Sequence, residues 1–221
     1  MQSTESASFG GTPTVIVGPD LAQTGQVGTN PEVSKYQKLW NEPRYREVSP
    51  GEQWATTFLQ VAKPEKDSDA IDFGCGTGRG ALMLALFGSM KVKMLDFTEN
   101  CLDEDVAAAC VSQPTRLRFA QHDLTKPVPD SAAYGYCCDV LEHIPTSDVP
   151  KVLENVLGAA HHVFFGISTV DDVMGALIGE TLHLTVKPMA WWIEEIRKVG
   201  GTVHWCEEAE GYCAIYCSTW H

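Results

Sequence analysis

The chain has 221 residues, of which 44% are hydrophobic and 20% are charged, and its formal net charge at pH 7 is −13. This composition is typical of one globular domain with a sizeable core, and no apolar run approaches the ~18 residues of a membrane-spanning helix. Acidic residues outnumber Lys and Arg by 29 to 16, which argues against tight binding to a long nucleic acid and favours a small-molecule partner.

The N-terminal region carries neither a targeting signal nor a strong element pattern. Residues 1–34 contain no Lys or Arg, and the eight cysteines of the chain form no C-x-x-C pair. We therefore expect a cytoplasmic protein with reduced thiols. Residues 1–30 are rich in Gly, Ser, Thr and Gln, which predicts a flexible tail. Residues 31–48 carry Trp40, Tyr45 and Arg46 and predict an aromatic lid over a binding crevice, at the start of a domain that spans 31–221.

The segment after the lid carries the signals of a helix start. Ser49 is suited to the N-cap, Pro50 to the first helical position, and Glu52 to the third position of a capping box. This pattern predicts a helix that runs to about Ala62.

The most informative stretch is Asp72–Gly78, which reads D-x-G-x-G-x-G. It follows the apolar pair Ala70 and Ile71 and precedes a helical pattern over 81–86, so it predicts a tight turn between a strand and a helix. Glycine lacks the Cβ that blocks close approach, so such a turn brings backbone N–H groups and a helix N-terminus against a ligand. The acid before the first glycine suits a ligand with an ammonium group better than a phosphate.

Two ligand classes fit these glycines. A dinucleotide fingerprint, G-x-G-x-x-G/A, is satisfied from Gly76 through Ala81 but fails from Gly74, because Arg79 occupies the third position. The full D-x-G-x-G-x-G pattern favours S-adenosylmethionine. At this loop the chain resembles the class I S-adenosylmethionine-dependent methyltransferases, in which the loop holds the methionine end of the cofactor. The resemblance implies that the cofactor contacts Asp72, Gly74, Cys75, Gly76 and Gly78.

The next two strands end in further acidic residues. Lys91–Asp96 predicts a second strand, and a carboxylate at its end accepts hydrogen bonds from ribose hydroxyls in both ligand classes; Phe97 follows it. After the third predicted strand, the resemblance implies that Asp123 receives the adenine amino group beside Leu124. The alternative for Asp123 is a carboxylate that caps a turn before Pro127.

The fourth landmark is the run Asp139–Ile144, which matches the D-x-L-E-H-x pattern that lines the methyl-transfer site in the resembled family. It follows a buried strand over 134–138. Ligands of open parallel sheets bind beyond the carboxyl ends of the strands, so Asp139 faces the cofactor crevice. Asp139, Glu142 and His143 are candidate catalytic residues, and Asp139 is also a candidate cofactor contact.

A second segment rich in chemistry, 180–192, follows the fifth predicted strand, 161–167. It resembles an H-L-x-x-x-P-x-x-W-W stretch of small-molecule methyltransferases that helps to close the acceptor pocket. His183 is the fourth catalytic candidate; the alternative is a histidine satisfied within a loop. Trp191 and Trp192 are adjacent on a predicted helix, so one belongs to the core and the other to the pocket wall.

The resemblance covers roughly residues 50–221 and implies the fold. We expect an α/β, Rossmann-like, seven-stranded and mostly parallel sheet with helices on both faces. The last strand is antiparallel and lies between the fifth and sixth.

The sequence predicts an enzyme that transfers a methyl group from S-adenosylmethionine to a small-molecule hydroxyl or amine, similar to the ubiquinone-biosynthesis O-methyltransferases. Arg46 is a candidate partner of the cofactor carboxylate, and no metal ligand set is expected. Three alternatives stay open: methylation of a nucleotide or modified base, a cofactor-binding protein without turnover, and an NAD oxidoreductase. The acceptor and the oligomeric state do not follow from the sequence.

Overall fold

The computed structural model describes residues 32–219, and its central feature is one seven-stranded sheet. The predicted tail, residues 1–30, lies outside the described part. The strands, named in chain order, are β1 (Asp69–Phe73), β2 (Lys91–Asp96), β3 (Leu117–Gln121), β4 (Ala132–Cys138), β5 (Ala160–Ser168), β6 (Thr202–Ala209) and β7 (Tyr212–Ser218). The α-helices are α1 (Glu32–Leu39), α2 (Pro43–Arg46), α3 (Pro50–Ala62), α4 (Arg79–Phe87), α5 (Glu104–Ser112), α6 (Val149–Ala159) and α7 (Met189–Lys198).

The strand order is β3-β2-β1-β4-β5-β7-β6. The first five strands pair in parallel, whereas β7 is antiparallel to both β5 and β6. The predicted fold class is therefore confirmed, including the place of β7 between β5 and β6. Because β7 is antiparallel, its first residue lies at the same end of the sheet as the carboxyl ends of β1 to β5.

Helices bury apolar faces on both sides of the sheet. One cluster joins α6 and α7 to residues such as Phe165, and the other joins α3 and α4 to residues such as Phe164. Neighbouring strand residues point to opposite faces, so the continuous apolar run of β5 serves both clusters. The predicted N-cap of α3 also forms, since Glu52 N donates to Ser49 Oγ at 3.4 Å, while the Glu52 carboxylate lies 3.6 Å from Arg79 Nη1.

The segment after β2 is interrupted and does not form one continuous helix. A 3-10 turn occupies Glu99–Cys101, Leu102 is extended, and α5 begins at Glu104. Arg46 accounts for this break in the helix, because its guanidinium donates hydrogen bonds to the carbonyls of Asn100, Cys101 and Leu102. Those carbonyls are thereby kept from a regular helical ladder.

The N-terminal segment, which the sequence predicts to be a lid, packs on the rest of the chain through a small cluster of its own. Tyr36 and Leu39 of α1 pack with Leu182 from the segment after β5, and Trp40, Tyr45 and Phe97 border this group. The N-terminal segment therefore contacts the segments that follow β2 and β5. Within residues 32–219, no helix has the length and apolar character needed to cross a bilayer.

Candidate functional site

A cavity of about 800 Å³ lies at the carboxyl ends of the parallel strands, in the size range of small-molecule sites. Its wall is built from the lid, the glycine loop after β1, the segments after β2, β3 and β4, and the segment after β5. The predicted site residues that line it are Asp72, Gly74, Cys75, Gly76, Asp96, Phe97, Asp123, Leu124, Asp139, His143 and His183. Glu142 lies behind this wall, and neither Gly78 nor Arg46 belongs to it.

The glycine loop depends on left-handed backbone at three positions, with φ of 71° at Gly74, 50° at Gly76 and 76° at Gly78. Its amide groups, however, turn inward. Gly74 N and Cys75 N donate to Leu95 O, Gly76 N donates to Asp96 Oδ2, and Gly78 N donates to Cys75 O. The expectation of bare N–H groups facing a ligand is therefore wrong for these four amides. A loop whose amides are already used is a poor phosphate cradle.

Asp72 and Asp96 place two buried carboxylates beside the loop, with exposed fractions of 4% and 5%. Asp72 accepts a hydrogen bond from the backbone of Ala81; burial, with the nearby charge of Asp96 adding to it, raises the pKa of Asp72 to about 8. Asp96 also accepts from the backbone N–H and the hydroxyl of Thr98, both at 2.9 Å. Burial raises the pKa of Asp96, although these hydrogen bonds oppose the shift.

Asp123 forms the turn cap that was its alternative role, and it also lies on the cavity wall. Its Oδ1 accepts from the backbone N–H of Thr125 at 2.9 Å and from the Thr125 hydroxyl at 2.8 Å, so it caps the turn after β3. The same residue lines the cavity next to Leu124. The capped turn fixes where this part of the wall stands relative to β2.

Trp40 contacts the glycine loop, whereas Arg46 does not occupy the position that the sequence predicted for it. Trp40 lies over Gly76, where an added Cβ would come within 2.9 Å of its ring. The buried Trp40 Nε1 has no hydrogen-bond partner among residues 32–219. Arg46 instead binds Asp103 Oδ1 at 2.8 Å, in addition to the carbonyls that break the helix. In this structure Arg46 attaches the N-terminal segment to residues 100–103 and does not line the cavity.

Asp103 is consequently an ion-paired residue and not the freely solvated charge that its position near a helix start suggests. Its second oxygen accepts from Arg79 Nε at 2.6 Å, and Arg79 also donates to the backbone carbonyl of Arg46. The lid, the start of α4 and the start of α5 are thereby tied together.

Asp139 stands in left-handed backbone, with φ of 61°, directly after β4. Such a conformation is uncommon for a residue other than glycine and marks functional sites. The Tyr212 hydroxyl donates to Asp139 Oδ1 at 3.1 Å, and His143 Nε2 lies 3.8 Å from Asp139 Oδ2. Burial alone would raise the pKa of Asp139, but His143 holds it below its usual value.

His143 and Glu142 follow in a short 3-10 turn. His143 Nδ1 lies 2.7 Å from the Tyr36 hydroxyl and 3.2 Å from Leu182 O. Burial opposes protonation of His143, yet the neighbouring Asp139 raises its pKa overall. Glu142 is fully buried and its Oε1 accepts from Ser168 N. Burial, with Asp139 adding to it, raises the pKa of Glu142 to about 8.

His183 approaches from the segment after β5. Its Nδ1 lies 2.7 Å from Val170 O, and its ring centroid is 4.8 Å from that of His143. The structure thus brings all four catalytic candidates together. Trp192 is fully buried in the core, as expected for one of the pair, but Trp191 packs on that same core and does not line the cavity.

Tyr36 and Tyr212 were missed by the sequence analysis although they hold His143 and Asp139. Tyr212 is the first residue of β7, and the predicted antiparallel β7 would have placed it at the edge where the site lies. Tyr36 had no comparable signal beyond its place in an aromatic segment.

The cavity wall is rich in carboxylates. It contains eight Asp or Glu residues, two lysines and no arginine among residues 32–219. Low-dielectric walls that carry one sign of charge concentrate ligands of the opposite sign. The site therefore favours a cationic ligand. The acidic residues of the wall are Glu32, Asp72, Asp96, Asp123, Asp139, Asp148, Asp171 and Asp172.

One family model matches part of the chain. Residues 70–161 match the family model described as "Methyltransferase domain". That range contains the glycine loop, Asp96, Asp123 and the Asp139–His143 turn. A search of curated proteins finds no match.

Solved structures share the fold at low sequence identity. The magnesium protoporphyrin IX methyltransferase from Synechocystis, solved with bound SAH, is 16% identical with a TM-score of 0.63, covering 84% of this chain and 94% of that one. The mitomycin 7-O-methyltransferase is 18% identical with a TM-score of 0.60, covering 83% and 60%. A (4+2)-cyclase is 13% identical with a TM-score of 0.61, covering 76% and 80%. Likeness at this identity establishes the fold alone.

Proposed function

We propose that this enzyme transfers a methyl group from S-adenosylmethionine to a small-molecule acceptor, because residues 70–161 match the methyltransferase-domain model and lie in a class I fold. The match confirms the family predicted from the glycine loop. The proposed acceptor is a hydroxyl or an amine, and a ubiquinone-biosynthesis-like phenol is our first choice.

The observation that carries the proposal is the chemistry of the loop side of the cavity. Four loop amides are used internally, while Asp72 and Asp96 stand buried beside them. A dinucleotide would bring a pyrophosphate into this acidic wall, whereas S-adenosylmethionine brings an ammonium and a sulfonium. Charge complementarity therefore favours S-adenosylmethionine over NAD.

The residues divide into cofactor and acceptor sides. We assign Asp72 to the cofactor ammonium, Asp96 to the ribose, and Asp123 with Leu124 to the adenine. The unpartnered Trp40 Nε1 is a donor suited to the cofactor carboxylate. When bound, the cofactor supplies an activated methyl group, so the chain mainly contributes orientation and exclusion of water. Asp139, His143 and His183 line the acceptor side, where an imidazole nitrogen is able to take a hydroxyl proton.

A second function stays open, because the fold is shared by proteins that are not named as methyltransferases. The (4+2)-cyclase shares the fold, which means that this fold does not by itself establish methyl transfer. A cofactor-binding protein without turnover is thus the alternative, and methylation of a nucleotide or modified base is a further one.

The proposal is tested by binding and by product analysis together. Calorimetry should give a micromolar dissociation constant for S-adenosylmethionine or S-adenosylhomocysteine and no competition by NAD. Incubation with methyl-labelled cofactor and a cell extract should yield a labelled small molecule. Tighter binding of NAD would overturn the cofactor assignment, and cofactor binding without any labelled product would favour the alternative without turnover.

Asp72→Asn should stabilise the ligand-free protein while weakening cofactor binding. In the unfolded chain the Asp72 carboxyl ionises near 3.8, whereas in the fold its pKa is about 8. Folding is therefore penalised increasingly as pH rises from about 4 to about 8, because the buried carboxyl must retain a proton or carry an uncompensated charge. The Tm of Asp72→Asn should exceed that of the wild type by a margin that grows over this pH range.

The matched control for this measurement is Asp69→Asn, at the exposed start of the same strand. Saturating S-adenosylhomocysteine should reverse the order of Tm values at pH 8, because only the wild type gains the ammonium contact. A Tm margin that is independent of pH, or wild-type affinity in Asp72→Asn, would refute the role assigned to Asp72.

A further inference from the structure

Four side chains converge on the acceptor side of the cavity with the atoms that metal ions prefer. Asp139, Glu142, His143 and His183 each offer one ligand atom, and these atoms all lie within 4.8 Å of one another. A metal–ligand bond of about 2.1 Å places two ligands of one ion about 3 to 4 Å apart. The widest separation would therefore have to shorten by about 0.8 to 1.8 Å for the cluster to close around an ion.

Both imidazoles are held in the orientation that a metal ligand requires. His143 Nδ1 is placed against Leu182 O and the Tyr36 hydroxyl, and His183 Nδ1 against Val170 O. A carbonyl only accepts, so each contact puts the proton on Nδ1 and leaves the Nε2 lone pair free. A ligating histidine in proteins commonly donates its other N–H to such a carbonyl.

The two carboxylates follow the same pattern. The Tyr212 hydroxyl donates a hydrogen bond to Asp139 Oδ1, and Ser168 N donates one to Glu142 Oε1. Glu142 Oε2 is buried and has no hydrogen-bond partner within residues 32–219, and the same is true of His143 Nε2. Leaving such atoms unmet in a buried site is costly. An ion bound between them would satisfy both at once.

We propose that Asp139, Glu142, His143 and His183 bind one divalent first-row transition-metal ion. Two carboxylates and two neutral imidazoles balance a 2+ charge, and the nitrogen ligands favour Mn²⁺, Fe²⁺, Co²⁺ or Zn²⁺ over Mg²⁺ and Ca²⁺. The sequence analysis expected no metal ligand set, because the acids near the crevice form no recognisable ligand pattern along the chain. His183 lies 40 positions after His143, and the fold brings the two together.

The role of the ion, unlike its binding, rests on the proposed function. Asp139, His143 and His183 line the cavity, whereas Glu142 supports the cluster from behind. An ion at this position would bind an acceptor oxygen and lower the pKa of its hydroxyl. The histidines would then serve as ligands, and the hydroxyl proton would pass to solvent water instead of to an imidazole nitrogen.

The test measures metal binding directly on the full chain after treatment with a chelator. Calorimetric titration with Mn²⁺ should show one site per chain, and Co²⁺ should give visible absorption bands. His183→Ala and Glu142→Gln should each weaken Mn²⁺ binding by more than about tenfold and alter the Co²⁺ spectrum. His204→Ala is the matched control, because His204 lies on β6 and bonds Ser218; it should bind Mn²⁺ as the wild type does.

The outcomes separate this proposal from the proposed function. Absence of stoichiometric Mn²⁺ binding, or unchanged binding in His183→Ala, would overturn the metal site. Equal affinity for Mg²⁺ and Mn²⁺ would overturn the nitrogen-ligand assignment. If Glu142→Gln fails to fold, the Mn²⁺ affinity of His183→Ala tests the metal site, because His183 is only half-buried. Cofactor binding is measured separately, so a protein that binds Mn²⁺ but not S-adenosylmethionine would retain the metal site and lose the proposed function.

Discussion

Gly76→Val should abolish detectable binding of S-adenosylmethionine, with a loss of at least about 100-fold, or roughly 2.8 kcal/mol. Gly76 has φ of 50°, a conformation that a β-branched residue adopts only under strain. An added Cβ would also come within 2.9 Å of the Trp40 ring. The variant must therefore distort the loop, displace the lid, or both. Calorimetry with S-adenosylhomocysteine measures the effect.

Gly200→Val is the control that separates backbone strain from the loss of the site. Gly200 has φ of 91° and no atom within 4 Å of an added Cβ, and it lies after α7, outside the cavity wall. It should lose stability on the order of 1–3 kcal/mol from strain but keep its cofactor affinity. A folded Gly76→Val protein with normal affinity would show that this loop does not hold the cofactor.

Removing residues 1–47 should abolish turnover and weaken cofactor binding by about tenfold or more, whereas removing residues 1–30 should change neither. The longer deletion takes away Tyr36, which holds His143, and Trp40, which covers Gly76. It also takes away Arg46 and its contact with Asp103. The reaction would then lose its dry pocket and one positioning contact. Turnover of labelled cofactor and circular dichroism of both truncations measure the outcome.

Arg46→Ala tests the same segment without deleting it. The lid should lose its attachment to the 100–103 segment, so cofactor affinity should fall while the fold persists. Arg116→Ala is the matched control, since Arg116 pairs with Asp67 at the opposite edge of the sheet. If the longer truncation folds and turns over normally, the aromatic segment is not a lid and the acceptor pocket is built from residues 139–192 alone.

The sequence was a good guide where local chemistry decides the structure. The cap at Ser49, the glycine turn and the strand that ends at Asp96 depend on residues within a few positions of one another, and all three form as predicted. The sheet order required the family resemblance, because strand pairing joins segments that are far apart in the chain.

The predictions that failed concern partners from distant segments. Arg46 was expected to meet a cofactor carboxylate, but Asp103 and the nearby carbonyls lie closer once the lid is docked. The loop amides were expected to be free, but Leu95 O and Asp96 occupy them across the neighbouring strand. A sequence motif does not reveal these competing hydrogen-bond partners, because each one comes from another strand or turn whose position is set by the fold.

The carboxylate-rich cavity wall bears on the direction of exchange between cofactor and product. Methyl transfer turns the sulfonium of the cofactor into a neutral thioether, so the spent molecule carries one positive charge fewer. Eight acidic residues against two lysines attract the charged reactant more strongly than the spent molecule. If the proposed cofactor binds here, this electrostatic contribution therefore favours it over the spent molecule at equal concentrations.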